Sequence, residues 1–287
     1  MRKMRKDNKI SPVALTIAGS DSGGGAGIQA DLKTFAHFGV FGTSAITAIT
    51  AQNPCEVRRI DPLPPASVKA QAEAVFAKFA VKAVKTGMLF NAQIISATIE
   101  ILRKNPSVIY VADPVMIATS GAVLLRPDAI EKLKSGLLPL ADWVTPNIPE
   151  AEILSGMKIT GVSDMRKAAL ICSEKWNCGC IVKGGHLEKG KRRTDVVAFK
   201  GNIYSLESPA AGKKSLHGTG CSFSAAITAS LAVGHNWRSA LILAKSYIYG
   251  SILESVSPGE GFLSLNPPSK DYSGLVSMKE CHSHLTG

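Results

Sequence analysis

Short apolar runs alternate with segments of helical periodicity between residues 13 and 182 of the chain. The apolar runs are rich in β-branched residues and predict strands at 13–18, 43–50, 83–86, 108–112, 143–145 and 181–182. The segments between them predict helices at 27–38, 66–79, 92–103, 129–134 and 164–175. A repeated strand–helix–strand order requires right-handed crossovers between parallel strands. The sequence therefore predicts an α/β fold, in which a mostly parallel sheet lies between two layers of helices.

The pattern changes in the last third of the chain. Two runs, 194–200 and 203–206, flank Gly201-Asn202 and predict a β-hairpin at a sheet edge. Two further helices, 219–233 and 237–256, are expected to complete the fold.

No Pro/Ser-rich linker or internal repeat divides the chain, so we expect a single folded domain. This domain is predicted to span residues 13–263, after a basic N-terminal tail at residues 1–12. Residues 264–287 lose the periodicity of the preceding helices and are predicted to form a poorly ordered tail.

The net charge of +11 does not by itself indicate a nucleic-acid partner. Basic residues cluster in the first nine residues and at 189–193, and neither cluster is interleaved with aromatic side chains. The six cysteines show no metal-binding spacing, and no apolar run is long enough to span a bilayer. We therefore expect a cytoplasmic protein that binds neither nucleic acid nor membrane.

The segment His217-Gly218-Thr219-Gly220-Cys221 leads directly into a predicted helix of small residues. A glycine turn at a helix start directs unpaired N–H groups and the positive end of the helix dipole toward one point. We predict that this turn binds an anion, most simply a phosphate. Cys221 lies in the same turn, where the pKa of a thiol tends to be lowered. The alternative is an ordinary glycine-capped helix start with an inert, buried cysteine.

Polar side chains follow several of the predicted strands. They are Asp21, Gln52, Asn53, Asp113, Asn147, Glu150 and Lys183. The carboxyl ends of parallel strands share one edge of a sheet, which is where such sheets bind ligands. Any one of these residues could be a cap or a turn, but together they predict a binding site.

Two other glycine-rich segments resemble nucleotide-binding motifs. Gly25–Ala30 matches a dinucleotide-binding fingerprint, but the next predicted parallel strand ends without the required acidic residue. Gly185–Lys191 resembles a phosphate-binding loop, but Arg192 stands where Ser or Thr is needed and a strand follows it. We interpret the second segment as a charged hairpin tip.

The order of several motifs resembles the hydroxymethylpyrimidine/phosphomethylpyrimidine kinases of thiamine biosynthesis. The matching segments are 18–34, 47–53, 85–89, 113–116, 145–151, 182–186 and 217–221, and the resemblance extends from about residue 13 to about residue 261. Two departures are Thr119, where the family usually has lysine, and 259–262, which match the family's glycine-rich end only in part.

The resemblance implies a ribokinase-like fold, usually dimeric, that acts with ATP and Mg²⁺. It implies two successive phosphorylations of 4-amino-5-hydroxymethyl-2-methylpyrimidine, first to the monophosphate and then to the diphosphate. The residues that it assigns to catalysis are Gly218, Thr219, Gly220 and Cys221. Those assigned to the pyrimidine are Gly19, Ala26, Asp31, Gln52, Met88 and Val115. Those assigned to the nucleotide are Thr145, Asn147, Lys183 and Thr219, and those assigned to the metal are Asp113 and Glu150.

The chemistry of these residues agrees with those roles. Carboxylates suit Mg²⁺, a lysine suits ATP phosphates, and the Gln52 amide suits an aminopyrimidine edge. Cys221, as a thiolate, could accept the hydroxymethyl proton in the first phosphorylation. Two other hypotheses remain: a pyridoxal kinase, and a pseudokinase that binds the pyrimidine without turnover.

Overall fold

A ten-stranded sheet forms the centre of the protein. The computed structural model describes residues 11–117, 123–185, 190–212 and 216–281. The strands are β1 (Val13–Asp21), β2 (Phe41–Gln52), β3 (Val57–Pro62), β4 (Val81–Thr86), β5 (Ile109–Ala112), β6 (Trp143–Val144), β7 (Gly179–Val182), β8 (Arg192–Phe199), β9 (Asn202–Pro209), β10 (Val256–Gly259), β11 (Phe262–Ser264) and β12 (Ser277–Cys281). The helices are α1 (Gly27–His37), α2 (Pro65–Phe76), α3 (Ala92–Lys104), α4 (Pro127–Lys132), α5 (Ile148–Ser155), α6 (Val162–Trp176), α7 (Thr219–Val233) and α8 (Trp237–Leu253).

The middle of the sheet is parallel. Its order is β12-β9-β8-β7-β6-β5-β4-β1-β2-β3. The neighbours β7, β6, β5, β4, β1 and β2 run parallel to one another. The remaining neighbouring pairs are antiparallel: β2 with β3, β7 with β8, β8 with β9, and β9 with β12. Strands β10 and β11 form a separate antiparallel pair. The predicted α/β fold with a mostly parallel central sheet is confirmed.

Apolar side chains cover both faces of the sheet. On β5, Val111 packs in a cluster with residues of α7 and α8, whereas the next residue, Ala112, packs in a cluster with α3 and α6. Because successive residues of a strand point to opposite faces, a strand covered on both sides must be apolar throughout. This explains the continuous apolar runs in the sequence and shows that helices form a layer on each side.

The predicted elements are found with small shifts at their ends, and five strands and helices were missed, namely β3, α5, β10, β11 and β12. Helix α7 has the predicted bounds, and α8 ends three residues before the predicted end. Strand β3 escaped prediction because it is an outer strand with mostly exposed charged residues, so it lacks an apolar pattern. Helix α5 has only eight residues, too few for helical periodicity to show.

The C-terminal segment is ordered where the structure describes it, so the prediction of a poorly ordered tail is wrong there. Strand β12 pairs with β9, and Val276, just before it, is buried with an exposed fraction of 9%. The predicted hairpin, formed by β8 and β9, is therefore covered by β12 and is not at the sheet edge. Local periodicity could not reveal β12, because its pairing partner is far away in the sequence.

No helix among the described residues is long and apolar enough to cross a membrane. Residues 186–189, which belong to the predicted charged hairpin tip before β8, lie outside the described residues. Thr119 also lies outside them.

Removal of residues 276–287 is expected to lower the free energy of unfolding by at least about 2 kcal/mol, because it deletes the buried Val276 and the pairing of β12 with β9. Urea unfolding measures this change. As a control, Lys279→Ala/Glu280→Ala removes only exposed side chains of β12 and should change stability by less than about 0.5 kcal/mol. Equal stability of the truncated and full-length proteins would show that β12 does not contribute to the sheet.

Candidate active site

The polar residues after the strands lie along one edge of the sheet. Asp21 and Gln52 end β1 and β2, and Asp113 directly follows β5. Asn147 precedes α5 in the connection after β6, and Lys183, which directly follows β7, forms a bridge with it. The parallel orientation of these strands brings their carboxyl ends together, as the sequence predicted.

The start of α7 lies at this edge and is shaped to leave its amides available. The residue that precedes the helix is Gly218, which has no side chain to cap it and has a φ of +84°. A Cβ at Gly218 would overlap the carbonyl oxygen of Gly25, so this turn requires glycine for both conformation and space. The first N–H groups of a helix have no partner within it. This geometry is the one that the anion-binding prediction requires.

The carboxylate of Asp113 connects this turn to the sheet. Its Oδ1 accepts hydrogen bonds from Lys183 Nζ at 3.0 Å and from Thr145 Oγ1 at 3.2 Å. Its Oδ2 accepts one from Ser224 Oγ on α7, at 3.1 Å. Burial disfavours the charge, but Lys183, Lys85 and these hydrogen bonds outweigh it, so the pKa of Asp113 is lowered. The Asp113 carboxylate is therefore an anion although it is only 3% exposed.

Glu150 and Asn147 form a capping box at the start of α5. Asn147 Oδ1 accepts the Glu150 N–H at 2.9 Å, and Glu150 Oε2 accepts the Asn147 N–H at 2.8 Å. Burial raises the pKa of Glu150 to about 7, although Lys183 opposes this shift and Asp113 adds to it. Asn147 and Glu150, which are predicted to contact the nucleotide and the metal, therefore also fix the backbone at the start of α5.

Asp31, which the resemblance assigns to the pyrimidine, lies in the core beside Lys85. It has no exposed surface. Both of its carboxylate oxygens lie 2.9 Å from Lys85 Nζ, and Oδ2 also accepts a hydrogen bond from Thr16 at 2.7 Å. Burial raises the pKa of Asp31 and Lys85 opposes the shift. The carboxylate is occupied by these two partners.

The pKa of the Cys221 thiol is raised to about 11, so the predicted lowering is wrong. Removal from water is the largest cause, and the carboxylates of Asp113 and Asp31 add to it. Lys85 and a hydrogen bond from the Gly27 N–H act in the opposite direction but do not compensate. Sequence reasoning considered only the helix start and had no information on the two nearby carboxylates.

The other residues expected to contact the pyrimidine surround the ends of β1 and β2. Gly19 lies against the Met88 side chain, and Met88 and Val115 share one small apolar cluster. Ala26 precedes α1 and donates its N–H to Asp21 Oδ2 at 2.8 Å. The structure therefore brings Gly19, Met88 and Val115 together, with Ala26 in the adjacent loop.

Gln52 is held at the same edge by the residue that precedes the anion-binding turn. Its Nε2 lies 3.1 Å from His217 Nε2, and that ring nitrogen lies 3.2 Å from Asp21 Oδ2. Asp21 also accepts hydrogen bonds from the N–H groups of Gly23 and Gly25. Asp21 therefore organises the glycine loop, a role that its position at a strand end did not indicate.

Sequence reasoning assigned no role to Lys85 and Ser224. Lys85 is a fully buried lysine on β4, and a lysine within a predicted strand of the parallel sheet is the signal that could have identified it. Ser224 lies among small residues of α7, and nothing in the sequence distinguishes it from its neighbours.

Solved structures with this architecture identify the class of protein. The pyridoxal kinase of Staphylococcus aureus in complex with AMP-PCP and pyridoxal has a TM-score of 0.83 at 33% identity, covering 94% of this chain and 99% of that one. The phosphomethylpyrimidine kinase of Clostridium difficile has a TM-score of 0.72 at 44% identity, covering 82% of this chain and 97% of that one. The fold is that of a ribokinase-like kinase, and the protein is a phosphotransferase.

The sequence comparison defines the family more narrowly. The profile described as phosphomethylpyrimidine kinase matches residues 21–266. The hydroxymethylpyrimidine/phosphomethylpyrimidine kinase of Haemophilus influenzae is 47% identical over 250 residues, which are 86% of this chain and 93% of that protein. This chain belongs to the phosphomethylpyrimidine kinase family.

Gly218→Ala is expected to lower kcat/KM at least about a hundredfold, because the added methyl group overlaps Gly25 and displaces the amides of the anion-binding turn. Steady-state kinetics on the phosphoryl acceptor measures the effect. Gly234→Ala is the matched control at the other end of α7: its φ is +101°, but a Cβ there meets no atom within 4 Å. This control should lose about 1 kcal/mol of stability and keep its turnover. Similar activity of both variants would exclude the turn from catalysis.

Proposed function

We propose that this protein transfers the γ-phosphoryl group of ATP to 4-amino-5-hydroxymethyl-2-methylpyrimidine, and then a second phosphoryl group to the resulting monophosphate. The observation that carries the proposal is the convergence of the α7 turn, Lys183 and Asp113 at one edge of the sheet. Asp113 bonds to both Lys183 and α7, so an anion at the amides would lie next to the lysine. The names of the relatives from Haemophilus influenzae and Bacillus subtilis support the choice of substrate.

The nucleotide phosphates would bind between the α7 turn and Lys183. A Cβ on Gly220 would lie 3.4 Å from Lys183 Nζ, so the ammonium group is adjacent to the amides of the turn. Thr219, Thr145 and Asn147 lie on the same edge and are proposed to contact the nucleotide. Solved pyridoxal kinases of similar fold contain ADP or AMP-PCP, which supports ATP as the donor. In such a site, the amides and the lysine stabilise negative charge on the transferring group.

Asp113 and Glu150 fit a magnesium ion carried by the nucleotide. Both are buried carboxylates near Lys183, and Mg²⁺ in kinases is commonly held by one or two carboxylates together with water and substrate phosphates. Among the described residues, no group of three or more His, Cys, Asp or Glu side chains could bind a metal without such help. Mg²⁺ would neutralise charge on the ATP phosphates.

Cys221 is proposed as the proton acceptor in the first step only. The hydroxymethyl oxygen bonds to the γ-phosphorus as the bond from that phosphorus to the β,γ-bridging oxygen breaks, and the hydroxyl proton passes to Cys221 in its thiolate form, which becomes the thiol. ADP takes the electron pair of the broken bond. In the second step, the nucleophile is an ionised phosphate oxygen, which carries no proton that must be removed.

A second candidate substrate is pyridoxal. It is favoured by the similarity to pyridoxal kinases over 94% of this chain, at 33% identity. The apolar wall formed by Met88 and Val115 can contact either six-membered ring. The remaining alternative is a pseudokinase, which would bind the pyrimidine at this site without phosphorylating it.

We further propose that the protein acts as a homodimer, as its resemblance to the family implies, and that it is cytoplasmic, as its cysteine spacing favours. The kinase domain would include β12, since this strand belongs to the central sheet.

Phosphate-resolved product analysis with ATP, Mg²⁺ and hydroxymethylpyrimidine tests the proposed function. The expected result is that the monophosphate appears first and is converted to the diphosphate. Pyridoxal is the parallel substrate, and ATP consumption without either substrate is the background. Phosphorylation of pyridoxal alone would replace the proposed substrate, and absence of turnover with both would indicate a pseudokinase.

Cys221→Ala is expected to lower kcat/KM of the first phosphorylation about a hundredfold or more and to change the second by less than about threefold. Because the pKa of the thiol is raised to about 11, its thiolate fraction grows as the pH rises from 7 to 9. The wild-type rate of the first step should therefore rise with pH up to about tenfold per unit, a rise that the variant lacks. Equal losses in both steps would leave Cys221 as a residue that only lines the pocket.

A further inference from the structure

A buried ion pair lies outside the site described so far. Lys245 Nζ, on α8, is 2.6 Å from Oδ2 of Asp195, on β8. The exposed fractions of these residues are only 7% and 5%. Removing two charges from water is costly, and the attraction between them often fails to exceed that cost. Stability alone is therefore a weak explanation of this pair.

The second oxygen of Asp195 points toward the active-site edge. Its Oδ1 accepts the N–H of Gly184 at 2.9 Å. The paired residues of β7 and β8 end at Val182 and Val196, so the Asp195 side chain binds a backbone N–H just beyond the end of the strand pairing. Because Lys245 holds Oδ2, the carboxylate is oriented with Oδ1 toward Gly184.

Gly184 is confined on its other side as well. A Cβ at this position would overlap the carbonyl oxygen of Thr194, so the backbone lies directly against β8. The hydrogen bond to Asp195 and this close contact together determine where the chain leaves β7. The residue immediately before this point is Lys183.

The remaining contacts of Lys183 show what this arrangement aligns. Its N–H donates to the carbonyl oxygen of Pro146 at 2.9 Å, and its Nζ donates to Asp113 Oδ1 at 3.0 Å. The backbone is thus held on the β6 side by Pro146 and on the β8 side, one residue later, by Asp195. A small displacement at Gly184 would move the ammonium group relative to the amides of the α7 turn.

We propose that Asp195 and Lys245 are positioning residues for nucleotide binding: they hold the Gly184 amide and thereby align Lys183 with the phosphates of ATP. This proposal rests on the proposed function, in which Lys183 contacts those phosphates. Neither residue touches the substrate itself. The effect of the pair should therefore appear in the affinity for the nucleotide and not in the affinity for the pyrimidine.

Two double variants separate the hydrogen bond to Gly184 from the ion pair. Asp195→Asn/Lys245→Gln removes both charges, but the new amide oxygen at position 195 can still accept from Gly184, and its NH₂ group can donate to the glutamine. Asp195→Leu/Lys245→Met removes both charges and also the acceptor. The measurements are the Kd for AMP-PCP with Mg²⁺, KM for ATP, KM for hydroxymethylpyrimidine and the free energy of unfolding.

The leucine/methionine variant is expected to raise the Kd for AMP-PCP and KM for ATP about tenfold, while KM for the pyrimidine changes less than about twofold. The asparagine/glutamine variant should restore nucleotide affinity to within about twofold of the wild type. Equal nucleotide affinity of the two variants would overturn the proposal, and so would a parallel rise in KM for both substrates. If the leucine/methionine variant does not fold, Asp195→Ser/Lys245→Gln gives the same comparison, since a serine hydroxyl is too short to reach Gly184.

Binding of AMP-PCP is measured without the pyrimidine, so the two hypotheses can fail separately. A wild-type protein that binds AMP-PCP but does not phosphorylate the pyrimidine overturns the proposed substrate and leaves the comparison of the variants valid. Wild-type protein that fails to bind AMP-PCP overturns both. Lys183→Ala is the reference variant, because it shows the largest loss of AMP-PCP affinity that misalignment of this lysine can produce.

Discussion

The charge on the Asp113 carboxylate is the interaction on which the arrangement of the site depends. A carboxylate that is 3% exposed is stable as an anion only when hydrogen bonds and positive charge replace the lost water. Thr145, Lys183 and Ser224 supply these from three separate parts of the chain. The same contacts hold the first turn of α7 beside the ends of β5, β6 and β7. The requirement to satisfy one buried charge therefore brings together the groups that are proposed to bind phosphate.

Two further buried ion pairs support the edges of this arrangement. Lys85 and Asp31 lie beneath the α7 turn and influence the pKa of Cys221 with opposite signs. Asp195, which is paired with Lys245, lies beside the end of β7 and accepts the Gly184 N–H. Such pairs contribute little net stability, because desolvation offsets their attraction. Their value lies in geometry, since a buried charge tolerates few positions of its partner. In this protein, one pair acts electrostatically on Cys221, and the other binds the backbone next to Lys183.

Sequence reasoning predicted which residues lie together at this edge of the sheet but described their burial and protonation poorly. It placed Asp113, Glu150 and Lys183 at one edge because strand ends can be recognised locally and parallel strands share an edge. It did not reveal the pairing of Asp31 with Lys85, because Asp31 lies within a predicted helix and gives no local sign of its partner. It also failed for the pKa of Cys221, because burial raises that pKa and the carboxylates that add to the shift come from α1 and from the residue after β5. It found the turn at Gly218 but not the close contact with Gly25 that makes glycine necessary there.

The sequence by itself determined the order of most strands and helices, the parallel character of the sheet and the position of the glycine turn before α7. These features follow from side-chain periodicity, β-branched content and glycine placement, which act over a few residues. Only the tertiary structure decided which side chains remain available to a ligand, the protonation tendency of Cys221, and the inclusion of β12 in the sheet. These depend on burial and on partners that are distant in the chain. Burial and electrostatic partners are properties of the folded arrangement, and no local pattern encodes them.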